Sequence, residues 1–169
     1  GEPLNKTGRT GPDQRNREKH DMSQSQLQTL KGDHEHCLAL VELLKYAIDE
    51  KDLSRHTEKV QNFLMKWQGD LDEHFKKEEA VLLPVYARFA AIDDPDFILM
   101  FFQHVEIRKT VYMLAERIES GLRGDDLITE LVQQMTEHVD HEENVLMPKM
   151  MATIPPDKLA FIAESLRKW

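Results

Sequence analysis

One eleven-residue pattern occurs twice in the chain, and it restricts the fold more than any other feature. The first copy runs from His74 to Pro84 (His-Phe-Lys-Lys-Glu-Glu-Ala-Val-Leu-Leu-Pro) and the second from His138 to Pro148 (His-Val-Asp-His-Glu-Glu-Asn-Val-Leu-Met-Pro). Each copy places a histidine four residues before a glutamate, His74 with Glu78 and His138 with Glu142. On a helix, side chains four apart lie on one face, one turn from each other. An imidazole and a carboxylate aimed inward from one turn are a metal-ligand pair.

The flanking periodicity predicts helices for both copies and for the segments between them. Leu27, Leu30, Cys37, Val41, Leu44 and Ile48 trace one helical face, with a start expected at Ser23, where Gln26 completes a capping box. His34 sits on that face where a leucine would be expected, whereas His36 points elsewhere. A second helix is expected from Ser54, through Val60, Leu64, Trp67, Leu71, His74, Glu78, Leu82, Val85 and Phe89. Pro84 inside it predicts a bend just after the Glu78 turn. Asp94 as N-cap and Pro95 open a third helix along Phe97, Phe101, His104, Ile107, Val111, Leu114 and Ile118. Gly121 and Gly124 end it. A fourth helix starts at Asp125 or Asp126 and carries Ile128, Leu131, Met135, His138, Glu142 and Val145. Pro155-Pro156-Asp157 opens a short fifth helix through Leu159, Ile162 and Leu166.

The expected fold is therefore all-α: an up-down-up-down four-helix bundle over residues 22–169 with a short fifth C-terminal helix, preceded by a disordered polar tail over residues 1–21. Helices one and two supply His, then His and Glu; helices three and four repeat that order. A pseudo-twofold bundle would bring His34, His74, Glu78, His104, His138 and Glu142 to one level of the core. Six buried polar groups left unpaired would each cost roughly 1–3 kcal/mol. Bound metal removes that cost, and its binding energy becomes folding energy. Mixed imidazole and carboxylate donors suit two non-haem iron ions, with an oxo or hydroxo bridge, and leave manganese or zinc as alternatives. His34 and His74 would hold one ion, His104 and His138 the other, with Glu78 and Glu142 bridging.

Competing motifs are absent. No glutamate stands three residues before any histidine, as ferritin-like di-iron bundles require, and His-Glu-x-x-His does not occur. The order His, His-x-x-x-Glu, His, His-x-x-x-Glu, each pair followed by Glu-x-Val-Leu-x-Pro, resembles the hemerythrin-like (HHE cation-binding) family over about residues 23 to 150. The resemblance implies a four-helix bundle around a di-iron centre held by the same six residues. It also implies a small diatomic ligand, dioxygen or nitric oxide, in sensing, storage or protection from oxidative or nitrosative stress. The family's oxygen carriers have a fifth histidine where this chain has Arg108, and their last carboxylate falls at Glu143 rather than Glu142. The four-His, two-Glu set is more similar to bacterial iron-repair and regulatory members. A di-iron oxidoreductase, or a protein that releases iron to damaged iron–sulfur centres, is the alternative function.

The remaining features bound the setting. Net charge is −9, which argues against a nucleic-acid partner. No apolar run approaches the roughly 20 residues of a membrane span. A single cysteine and no signal-type start fit a cytoplasmic location. A homodimer is possible. Cys37 is expected as a buried, inert thiol; His20, His36 and His56 as surface residues; and His141 as a solvated residue or an outer partner of His138. Trp67, Phe63 and Phe101 are expected in the core or around a pocket, with Tyr46, Tyr86 and Tyr112 as groups that could border the site.

Overall fold

The computed structural model describes residues 28–168 and the single residue Gln14. The expected tail apart from Gln14, the Ser23 cap, Leu27 and His20 lie outside the described residues. The rest is helical, with no strand among the described residues. Helix α1 spans Gln28–Asp49. Helix α2 covers residues 53–86 in five consecutive segments, Leu53–Lys66, Trp67–Leu71, Asp72–Lys77, Glu78–Leu82 and Leu83–Tyr86. Helix α3 spans Pro95–Glu119. Helix α4 covers residues 125–153 as Asp125–His141, Glu142–Leu146 and Met147–Thr153, and α5 spans Pro156–Arg167. No helix among the described residues is long and apolar enough to cross a membrane.

The helix ends follow local chemistry. The Asp52 side chain accepts from the Arg55 amide at the start of α2, one residue from the expected Ser54 start. Asp94 accepts from the Asp96 amide, with Pro95 in the first turn of α3. Gly121, with φ +74°, turns the chain after α3. Gly124 then leads into α4; a Cβ there would lie 2.3 Å from Leu114 Cδ1, so a larger residue would require the Leu114 side chain to move.

The expected bend at Pro84 takes the form of a wide π turn, Glu78–Leu82, closed by the Leu83 amide on the Glu78 carbonyl. Glu142–Leu146 repeats it before Pro148. One extra residue in the turn accommodates a proline that can neither donate to the preceding turn nor fit against it. The second turn also corrects the expected α4 stripe. Leu146, not Val145, is buried, and Val145 is 36% exposed. A third π turn, Trp67–Leu71, contains Gly69 and no proline; the expected regular helix does not hold there.

α1 packs on α2 and α4, and α3 packs on α4 and α2. Buried apolar side chains form two clusters. One is built from Cys37, Val41, Leu44, Val60, Phe63, Leu71, Phe75, Ile107, Leu114, Ile128 and Met135, among others. The other contains Leu30, Leu82, Tyr86, Phe97, Met100, Leu146 and Met150, and α5 closes it with Leu159, Ile162 and Leu166. Along every one of α1 to α4, the inward histidine falls between residues of the two clusters. A polar layer is thus enclosed by apolar layers.

Candidate metal centre

The structure brings His34, His74, Glu78, His104, His138 and Glu142 together in that layer, each no more than 3% exposed. Glu78 Oε1 faces the Nε2 atoms of His34 (3.7 Å) and His74, and its Oε2 faces His104 Nε2 at 3.2 Å. Glu142 Oε1 lies 3.2 Å from His34 Nε2, and its Oε2 3.1 Å from His138 Nε2. Both carboxylates therefore reach both histidine pairs. The donor atoms form two groups, His34, His74, Glu78 and Glu142, and Glu78, His104, His138 and Glu142, with the atoms of each within 4.8 Å of one another. Either group could hold a metal ion.

The outward edge of each imidazole is tied to the neighbouring helix. His74 Nδ1–H donates to Asp33 of α1 (3.0 Å), and His104 Nδ1–H to Glu79 of α2 (2.9 Å). His138 Nδ1–H donates to Gln103 Oε1 of α3 (2.9 Å), and His34 Nδ1–H to Glu143 of α4 (3.1 Å). Every helix thus fixes a histidine of the next, and the ring closes from α4 back to α1. A proton held on Nδ1 leaves the Nε2 lone pair facing inward. All four Nε2 atoms, and both oxygens of Glu78 and of Glu142, are buried without a hydrogen-bond partner. Orphaned buried polar atoms are rare because each one costs free energy. Eight of them converging on one spot fit a cationic guest that accepts lone pairs.

Electrostatics point the same way. Burial pushes the His34 imidazole down, but Glu142 and Glu78 outweigh it and hold it up to about 11. His74 is held at about 10 against the same burial, by Glu78 and Asp33, and His104 at about 9 by Glu78 and Glu79. His138 moves the other way: burial lowers it, and its Glu142 partner does not compensate. Burial would raise Glu78, yet His74, His104 and His34 hold it well below the carboxylate range. The protein alone thus draws protons into a layer built for positive charge.

Of the outer partners, Glu79 and Glu143 directly follow the glutamates of the repeat. Asp33 and Gln103 were missed, although each directly precedes a layer histidine. Arg108 donates to both Glu79 (2.6 Å) and Asp72 (2.8 Å). Phe75, also missed, stacks on His104 at 4.0 Å and meets His138 edge-on at 5.2 Å.

Other expectations divide. Cys37 is buried, and burial pushes its thiol up to about 12, as an inert thiol requires. His36 is exposed and pairs with Asp70 at 2.9 Å. His56 is not a surface residue: it is fully buried, donates to the Ala47 carbonyl (2.7 Å) and accepts from the Gly124 amide (3.2 Å). The ring thus ties the end of α1 to the start of α4, and the Ala47 carbonyl also accepts from Arg123 at 3.4 Å. His141 is neither solvated nor a partner of His138; it is half-buried and donates to the Asp96 carbonyl at 2.9 Å. Phe63 and Trp67 are core residues, while Phe101 is 40% exposed and lines an apolar cavity of about 520 Å³ with Phe97, Pro84 and Glu79. Tyr46 and Tyr112 are exposed, and Tyr86 packs on Phe97 in the cluster beyond the layer.

Residues 25–153 match the family model described as the hemerythrin HHE cation binding domain. Comparison with curated proteins and with solved structures returns no match.

Proposed function

The chain belongs to the hemerythrin HHE cation-binding family, and from that premise we propose that it binds two iron ions and presents them to a small diatomic ligand, dioxygen or nitric oxide. One observation carries the reading: eight buried, partnerless donor atoms on six residues, sorted into two groups that share Glu78 and Glu142. His34 and His74 would hold one ion and His104 and His138 the other, with the two glutamates bridging. Bound iron would supply reversible coordination and electron exchange with the diatomic ligand. The chain's own residues do the rest. Asp33, Glu79, Gln103 and Glu143 hold the four imidazoles in the tautomer that aims Nε2 inward. The two apolar clusters exclude bulk water from above and below the layer.

The order in which successive helices pass from one apolar cluster to the other alternates, which supports the up-down-up-down bundle, closed by α5, as one domain over residues 22–169. A cytoplasmic role in sensing, storage or stress protection fits this reading. Iron-dependent oxidoreduction, or iron release, is the second reading. It is favoured by Arg108, which stands where the oxygen carriers have a further histidine and engages Glu79 instead.

The test is metal content and the ultraviolet–visible spectrum of protein from iron-supplied cells, before and after air and nitric oxide. About two irons per chain with charge-transfer bands that respond reversibly to the gas are expected. Product formed over many turnovers with a reductant would favour the enzyme. Zinc, or no metal, with no spectral response would overturn the proposal.

A further inference from the structure

The two halves of the layer are built on one repeat, but their outer partners differ at three matched positions. Asp33, before His34, corresponds to Gln103, before His104. Leu38, four residues after His34, corresponds to Arg108, four after His104. Phe75, after His74, corresponds to Val139, after His138.

These differences fall unevenly on the two cation positions. Both imidazoles of the first, His34 and His74, donate to carboxylates, Glu143 and Asp33. In the second, His138 donates to the neutral Gln103 amide. His104 donates to Glu79, whose charge is met by the Arg108 guanidinium through bonds of 2.6 and 3.3 Å. Two carboxylates that pair with no Lys or Arg among the described residues thus back the first pair, whereas the second is backed by a neutral amide and by one carboxylate engaged by a guanidinium that it shares with Asp72. Lys77 lies near enough to act on Asp33 but forms no ion pair with it among the described residues. A carboxylate on Nδ1–H raises the donor strength of Nε2, and such outer partners are worth about 10- to 100-fold in metal affinity. Glu78 and Glu142 reach both positions, with Glu78 facing both imidazoles of the first and only His104 of the second. Phe75 adds a second contrast, because its ring lies closer to His104 (4.0 Å) and His138 (5.2 Å) than to His74 (6.1 Å) and so crowds the second position more.

We infer that the two cation positions are unequal: the His34/His74 position fills first and retains its ion, while the His104/His138 position, set by Gln103 and Arg108, is the labile one that exchanges a divalent transition-metal ion. This rests on the two-ion reading above. Gln103 and Arg108 are positioning residues that act through His138 and Glu79.

The experiment is chelator stripping of the full chain loaded with cobalt(II), followed by the visible spectrum and by metal analysis. Two release phases of one ion each are expected, separated by about 10-fold or more. His138→Ala should retain only the slow phase and His74→Ala only the fast one. Gln103→Glu, nearly isosteric, should slow the fast phase toward the other, and Arg108→Gln should shift it in the same direction. A single phase in the wild type, or unchanged phases in both Gln103→Glu and Arg108→Gln with helicity intact, would overturn the inference. Absence of bound cobalt altogether would overturn the two-ion reading with it; two ions released at one rate would overturn the inequality alone.

Discussion

The first half of the molecule, α1 and α2, and the second, α3 and α4, carry the same inward residues in the same order, yet they do not make equivalent environments. Each half presents His, then His and Glu, to a common layer. What surrounds those groups differs: carboxylates alone back the histidines of the first half, while an amide and an arginine-compensated carboxylate back those of the second. A repeated motif therefore specifies where donors stand. What stands behind them depends also on neighbours outside the motif, Asp33, Gln103 and Arg108.

The largest expected effect comes from the groups the halves share. Glu78→Ala removes the carboxylate that faces His34, His74 and His104. Metal content should fall from about two ions to near none, with a matching drop in the melting temperature of protein purified with metal. Retention of one full equivalent would show that the halves are more independent than their geometry indicates. Phe75→Ala should cost about 3–5 kcal/mol in chemical denaturation, as for other buried aromatics. Its effect on metal should be larger at the His104/His138 position, since the ring lies at 4.0 and 5.2 Å from that pair and at 6.1 Å from His74.

His56→Ala lies outside the comparison and calibrates it. It should cost about 1–3 kcal/mol in denaturation, because the buried Gly124 amide loses its acceptor, while metal content stays at the wild-type level. His36→Ala should change stability by less than about 0.5 kcal/mol and leave metal content unaltered.

The pH response sharpens the same contrast. In protein stripped of metal, His34, His74 and His104 titrate at about 11, 10 and 9, above the ordinary 6.5. Groups raised by folding contribute stability fully below 6.5, and that contribution fades as pH climbs through 9 to 11. Glu78, depressed by folding, contributes above its ordinary 4.5 and loses that contribution in acid. Thermal melts of the stripped protein should therefore peak between these limits and decline toward alkaline pH. Metal coordinates only neutral imidazole, so the loaded protein should instead lose stability as pH falls through the histidine range. His138 is lowered by burial and adds nothing to the alkaline decline, so most of that decline belongs to the first half.

Much of this was legible in the chain. The two repeats, His34 and His104 on otherwise apolar stripes, Asp94 with Pro95, and Gly121 with Gly124 identify the helices and the six inward residues. The reason is that helical periodicity reports which side chains of one helix share a face, and an imidazole on an apolar face stands out. Pro84 likewise announced an irregular turn after Glu78; the matching turn before Pro148, which buries Leu146 and exposes Val145, was not expected.

What periodicity does not carry is the relation between helices. Only the tertiary structure decided that Asp33 meets His74 across 41 residues, that Glu143 meets His34 across 109, and that His56 is drawn inside by Ala47 and Gly124. Those contacts depend on the axial register and rotation with which helices pack, and register is set by the whole core rather than by any one stretch. The sequence by itself determined the donor atoms of the layer. Packing determined which acceptor stands behind each imidazole, and with it the difference between the two halves.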